Sequence, residues 1–188
     1  MTSSVPTAAP TAAPNPAIAQ LGNPILRTLA QPVPEPEAPW VGDLIESLLA
    51  NLGPGVGIAA PQIGQPHRVV IIASHPSDRY PQAPTMEPLA LINPQIVAWD
   101  PATVEDWEGC LSVPGLRGCV GRAQGVTVEF YDRQGQFHRR EFRDFVARIV
   151  QHELDHLDGL VFLDRVKATT DLMVETEWRK RILPPQGA

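Results

Sequence analysis

The sequence predicts an α+β domain, with small antiparallel or mixed sheets packed around a central metal-binding helix and a further helix at the C-terminal end. Three observations carry that expectation. Residues 125–131 and 136–142 alternate apolar and polar side chains on either side of Asp132-Arg133-Gln134-Gly135, the pattern of a β-hairpin. Residues 144–158 instead place Phe145, Ile149, His152 and His156 along one helical face, with Val146, Val150 and Leu157 on a neighbouring one. This helix contains Gln151-His152-Glu153-Leu154-Asp155-His156, in which histidines four residues apart share a face and can share a metal ion.

A chain of 188 residues with 43% hydrophobic residues can close one core, so a single domain is expected over residues 17–188. Residues 1–16 mix Thr, Ala and Pro without a Lys or Arg, which reads as a flexible arm rather than a transit peptide. The net charge of −6 argues against a nucleic-acid or anionic-membrane surface, so neither DNA nor membrane is expected as a partner. No apolar run is long enough to span a bilayer and no secretory signal opens the chain; the expected compartment is the cytoplasm, and the expected state a monomer. Cys110 and Cys119 would close an unusually short loop if bridged, so each is weighed as a free thiol or a ligand.

Taken in order, residues 17–21 are a short extended piece, Gly22-Asn23-Pro24 a turn, and the Pro-rich residues 31–39 irregular. Val41, Leu44, Ile45, Leu48 and Leu49 form the stripe of a first helix that Pro39 can open and Gly53-Pro54 stops. Residues 55–64 are too rich in Gly and small side chains for an ordinary strand and suit a close backbone approach. Residues 68–73 read as a buried strand, residues 74–88 as a surface loop, and residues 89–92 and 95–99 as two strands broken by Asn93-Pro94. The metal helix should run from Asp144, a candidate N-cap, to Asp158, with Gly159 ending it; a charged final helix is expected over residues 169–182.

Two inward-facing histidines can be ordinary core residues, and a catalytic metal normally takes three protein ligands and leaves one position for water. The third ligand therefore decides the class. Proteases that place a third His six residues after the second are disfavoured, because Phe162 stands there. A route through Glu175 or Glu177, as in thermolysin-like peptidases, stays open, and so does a purely structural metal site. Cys110 is the stronger candidate, since a loop cysteine after Glu108-Gly109 can present a thiolate to the helix face. Gln62 adds an amide able to donate to an oxygen at the metal.

Gly55-Val56-Gly57-Ile58-Ala59-Ala60-Pro61-Gln62, Glu108-Gly109-Cys110-Leu111-Ser112 and His152-Glu153-Leu154-Asp155-His156 together resemble the three motifs of the peptide deformylases, in family order. The resemblance extends over residues 17–182, including residues 23–27 and 91–94. It implies hydrolytic removal of the N-formyl group from peptides that begin with formyl-methionine. It implies Cys110, His152 and His156 as metal ligands, Glu153 as general acid/base, and Gln62 with the Leu111 N–H as donors to the oxyanion. Gly57 then belongs to the edge along which the peptide lies. Arg117 falls near its backbone, and Val56, Phe145, Arg148 and Ile149 match the methionine pocket, with Arg148 a departure from an all-apolar wall. The implied cofactor is one divalent ion, natively Fe(II), replaceable by Zn or Ni. A transient ribosome contact through Arg179-Lys180-Arg181 competes with the reading of those charges as a complement to the helix dipole.

Overall fold

A computed structural model describes residues 17–183; the arm expected over residues 1–16 lies outside the described residues. Two antiparallel sheets and three α-helices make up the domain, as the α+β reading expects. The larger sheet has strand order β1 (Gly57–Ala59), β2 (Val69–Ser74), β3 (Met86–Trp99), β6 (Gly125–Tyr131) and β7 (Phe137–Arg143). The smaller one joins β4 (Thr103–Cys110), β5 (Val113–Ala123) and β8 (Leu172–Val174).

β2 is buried along its whole length because helices cover both faces of the sheet. Alternate side chains of a strand point to opposite faces. Val69, Ile71 and Ala73 accordingly pack with Val41, Leu44, Ile45 and Leu48 of α1 (Pro39–Leu52), while Val70 and Ile72 pack with Ile149, Val150 and Leu154 of α2 (Asp144–Leu157). A two-sided strand reads in sequence as a continuous apolar run, as residues 68–73 do. α1 opens with Pro39 in its first turn and ends at Gly53, as its residues predict.

α2 lies between the sheets, and every residue from Ala147 to Leu157 is buried. Such a helix is normally apolar all round. This one buries Arg148, Gln151, His152, Glu153, Asp155 and His156, so each polar group must find a partner or a task.

Four expectations need correction. Asp144 does not cap α2: Arg143 holds the N-cap position, and Asp144 takes a left-handed conformation with φ 51° while its side chain accepts from Gln124 Nε2. Asn93-Pro94 does not split the segment into two strands; β3 continues through a register shift and exchanges partners there, from β2 to β6. The Asn93 amide pairs with both main-chain groups of Val33 at 2.8 Å, which holds its φ of 52° in place. Cys110 stands at the end of a strand and not in a loop, because residues 103–123 form the β-hairpin of β4 and β5. The final helix is only α3 (Glu175–Arg181), because Leu172, Met173 and Val174 pair with Gly118, Arg117 and Leu116 of β5.

Candidate active site

Cys110 is the last residue of β4, at the turn formed by Leu111 and Ser112, and this turn faces α2. Its Sγ lies 3.2 Å from His156 Nε2. One donor atom each from Cys110, His152 and His156 falls within 4.8 Å of the other two. Glu175 and Glu177 are elsewhere: Glu175 faces Arg117 at 3.5 Å and Arg179 at 2.8 Å, and Glu177 pairs with Lys180 and Arg181. The thermolysin-like route is therefore withdrawn.

Around this triad the donors are held rigidly. Glu108 Oε2 stands 2.9 Å from His152 Nδ1; a carboxylate only accepts, so Nδ1 donates and Nε2 keeps its lone pair for a metal. Arg122 grips the same carboxylate with two bonds of 2.9 Å and reaches Asp155 Oδ2 at 2.6 Å; Arg165 holds the other Asp155 oxygen at 2.7 Å. His156 differs, its Nδ1 being buried without a protein partner. Gln62 accepts from the Ala59 N–H at 2.8 Å through Oε1, which turns Nε2 toward Cys110 Sγ at 3.5 Å and Ser112 Oγ at 3.2 Å. The amide thus presents a donor, not an acceptor, to the site.

Glu153, next to His152, is buried, and its Oε2 has no partner. Burial is the main force on its carboxyl and pushes it up to about 7, with Glu108 and Asp155 adding and His152 and Arg122 opposing. Glu108 behaves oppositely. Burial works against its charge too, but hydrogen bonds from His152 and Arg122 outweigh it and hold the carboxyl far below the usual range. Burial, with His152 and Arg122 nearby, also lowers His156 well below an ordinary imidazole, so it stays neutral as a ligand must. Burial opposes charge on His152 as well, yet Cys110 and Glu108 raise its pKa well above the ordinary value. The field between thiol and carboxylate favours positive charge.

A cavity of about 240 Å³ opens beside these groups, and all the residues assigned to substrate from sequence line it. Val56 and Gly57 lie at β1, the edge strand of the larger sheet; Phe145, Arg148 and Ile149 come from the first turns of α2; Leu111 sits at the hairpin turn. The Arg148 guanidinium turns toward Glu108 and main-chain carbonyls of β4 and β5. Arg117 is 1% exposed, stacked 4.6 Å from the Trp178 ring and donating to Tyr80 Oη at 2.9 Å. Gly109 makes room for it, since a Cβ there would sit 2.7 Å from the Arg117 Cζ.

Sequence reasoning missed Glu108 and Arg122 as partners of the ligands, and Tyr80 and Trp178 around Arg117. The alternation of β5, which points Val120 and Arg122 the same way, is a signal for Arg122. A Pro-rich loop offers none for Tyr80.

A thiolate and two imidazoles suit a divalent transition metal, and three donors leave one position for water, as a catalytic site requires. The residues present therefore fit a metal.

The comparisons with known proteins agree with this geometry. Residues 16–171 match the family model described as polypeptide deformylase. A peptide deformylase 2 from Nostoc sp. is 49% identical over 167 residues, 88% of this chain and 93% of that protein. Among solved structures, a class I type b peptide deformylase from Acinetobacter baumannii with bound Met-Ala-Ser is similar at 42% identity and a TM-score of 0.79, over 81% of this chain and 98% of that one. The peptide deformylase from Thermotoga maritima follows at 31% identity and a TM-score of 0.72, over 82% and 99%. The chain belongs to the polypeptide deformylase family, metal-dependent hydrolases that remove the N-formyl group from newly made proteins.

Proposed function

We propose that this chain hydrolyses the formamide of peptides that begin with formyl-methionine, using Cys110, His152 and His156 to hold one divalent ion. The carrying observation is the convergence of those three donors at a cavity that Cys110, His152 and Glu153 line together with Gly57 of the edge strand β1. When bound, such an ion polarises a carbonyl oxygen and makes water acidic enough to attack near neutral pH. Glu153, whose burial favours proton uptake near pH 7, takes the proton of the attacking water and passes it to the departing amine nitrogen. The Gln62 Nε2 and the Leu111 N–H donate to the formyl oxygen as it gains charge. Gly57 presents main chain at a sheet edge for a strand-like peptide. Val56, Phe145, Ile149 and the aliphatic stem of Arg148 take the methionine side chain, with Arg117 near the peptide backbone. The Met-Ala-Ser held by the Acinetobacter relative is a product of this form.

We propose ferrous iron as the native ion by likeness to the family; zinc or nickel can replace it, because thiolate and imidazole donors accept all three. The site of action is the cytoplasm, where nascent chains emerge, and among the described residues no helix is long and apolar enough to cross a membrane. Ribosome contact through α3 rests on Arg179, Lys180 and Arg181, each already paired with Glu175 or Glu177 within the helix. The test of the main reading is anaerobic purification, metal analysis and hydrolysis of formyl-Met-Ala-Ser. Cys110→Ala should lose the metal, whereas Glu153→Gln should keep it and lose about 10²- to 10⁴-fold in kcat, the usual worth of a positioned acid/base. Full occupancy and activity in Cys110→Ala would overturn the assignment.

A further inference from the structure

Arg148 occupies a wall otherwise built from Val56, Phe145 and Ile149, and it is 7% exposed. Its side chain does more than line the cavity. Nη1 donates to Glu108 Oε1 and to the Val120 carbonyl, both at 2.8 Å, and Nη2 donates to the Val104 carbonyl at 2.6 Å. A longer contact of 3.4 Å runs to the Asp106 carbonyl. Val104, Asp106 and Glu108 are alternate residues of β4, the strand that ends at Cys110.

We propose that Arg148 is a positioning residue that keeps the two halves of the metal centre in register, the hairpin that carries Cys110 and the helix that carries His152 and His156. This rests on the metal-dependent function proposed above. Arg148 and His152 stand one helical turn apart on the same face, so both reach Glu108. One carboxylate then receives four hydrogen bonds: Oε1 from Arg122 and Arg148, and Oε2 from Arg122 and His152. Arg122 and Glu108 belong to the same hairpin, so their pair fixes Glu108 only within it. Of the other ties across the seam, His152 reaches Glu108 in β4 through a single ring nitrogen, whereas Asp155 meets Arg122, and Gln151 both main-chain groups of Ala123, in β5. Arg148 fastens α2 to β4. Its fork is suited to this task because one planar head can serve a carboxylate and carbonyls on two strands together.

The discriminating variant is Arg148→Met, which keeps an unbranched apolar stem against the cavity and removes only the guanidinium. Both it and Arg148→Lys are loaded with cobalt(II), whose visible spectrum reports the Cys110 thiolate, and challenged with a chelator. Groups that orient a ligand are worth about 10- to 100-fold in metal affinity or activity. Metal release from Arg148→Met is expected to be about 10-fold faster than from the parent chain, with a shifted cobalt spectrum, kcat lowered about 10-fold and KM within about twofold. Arg148→Lys, which keeps charge but not the fork, should fall between. Release, spectrum and kcat equal to the parent, or a change confined to KM, would overturn the proposal and leave Arg148 as pocket wall. If Arg148→Met does not fold, the Lys variant decides: release about threefold faster is expected from a partial loss of the same contacts, and equal release overturns the role. A parent chain that binds no cobalt and leaves formyl-Met-Ala-Ser intact would instead remove the functional reading itself.

Discussion

Glu153 sits in a space that another residue's missing side chain creates. A Cβ at Gly57 would sit 2.7 Å from the Glu153 Cδ, well inside contact distance, so the buried carboxyl would have to shift into the cavity it lines. The glycine in that motif is therefore explained by the Glu153 carboxyl across from it, not by backbone conformation, since its φ is not positive. Gly57→Ala should fold, bind metal as before and yet lose about 10²-fold in kcat, because displacement of a reacting group by about 1 Å costs that much. Metal analysis beside steady-state kinetics checks it; a variant with normal kcat would show that the carboxylate can shift without loss of function. Glu108 makes the complementary point. Its neighbours hold it ionised where Glu153 is pushed toward protonation, so environment alone sets two buried carboxyls apart.

At the level of elements, the same substitution in the smaller sheet should read out in stability. Gly118 of β5 faces Phe162 and Val166, and a Cβ there would come within 2.8 Å of both. Both neighbours are packed side chains of the small cluster beneath β5, against which Cys110 also packs, and Phe162 stacks on the His152 ring with centroids 6.3 Å apart. Gly118→Ala should then destabilise the folded protein by about 1–3 kcal/mol, the usual cost of overpacking. Urea unfolding of the metal-loaded protein measures it, and an unchanged midpoint would mean that the cluster yields. The elements most legible in sequence are those whose periodicity follows from their own burial. α1 and the hairpin of β6 and β7 show period 3.6 and period 2 because one face of each meets the core. β8 was hidden because three residues paired at one edge of a sheet owe their structure to β5, not to a pattern of their own. The metal ligands were legible as motifs. Their partners were not, since buried charges such as Arg122 and Arg148 contradict the ordinary preference of such residues for the surface, and only the assembled seam makes them welcome.

For the molecule as a whole, the metal centre is a cross-link between units that are already closed. The clusters that join α1, the larger sheet and α2 contain no ligand residue, and the seam of Glu108, Arg122, Arg148, Asp155 and His152 is saturated by protein groups. Small metal-organised domains unfold when stripped because the ion supplies most of their folding energy. This chain should behave differently. The stripped protein should keep its far-UV circular dichroism and a cooperative thermal transition, at a lower midpoint. An ion present at about 100 times its dissociation constant adds about 2.7 kcal/mol by mass action. A protein of this size shifts by about 2–4 °C per kcal/mol, so chelation should lower the midpoint by about 5–10 °C, fully reversed on adding metal back. Thermal scans of the stripped and reloaded protein distinguish the cases. Loss of structure at 25 °C on chelation would show that the ion builds the fold, and an unchanged midpoint would show that the three donors hold nothing.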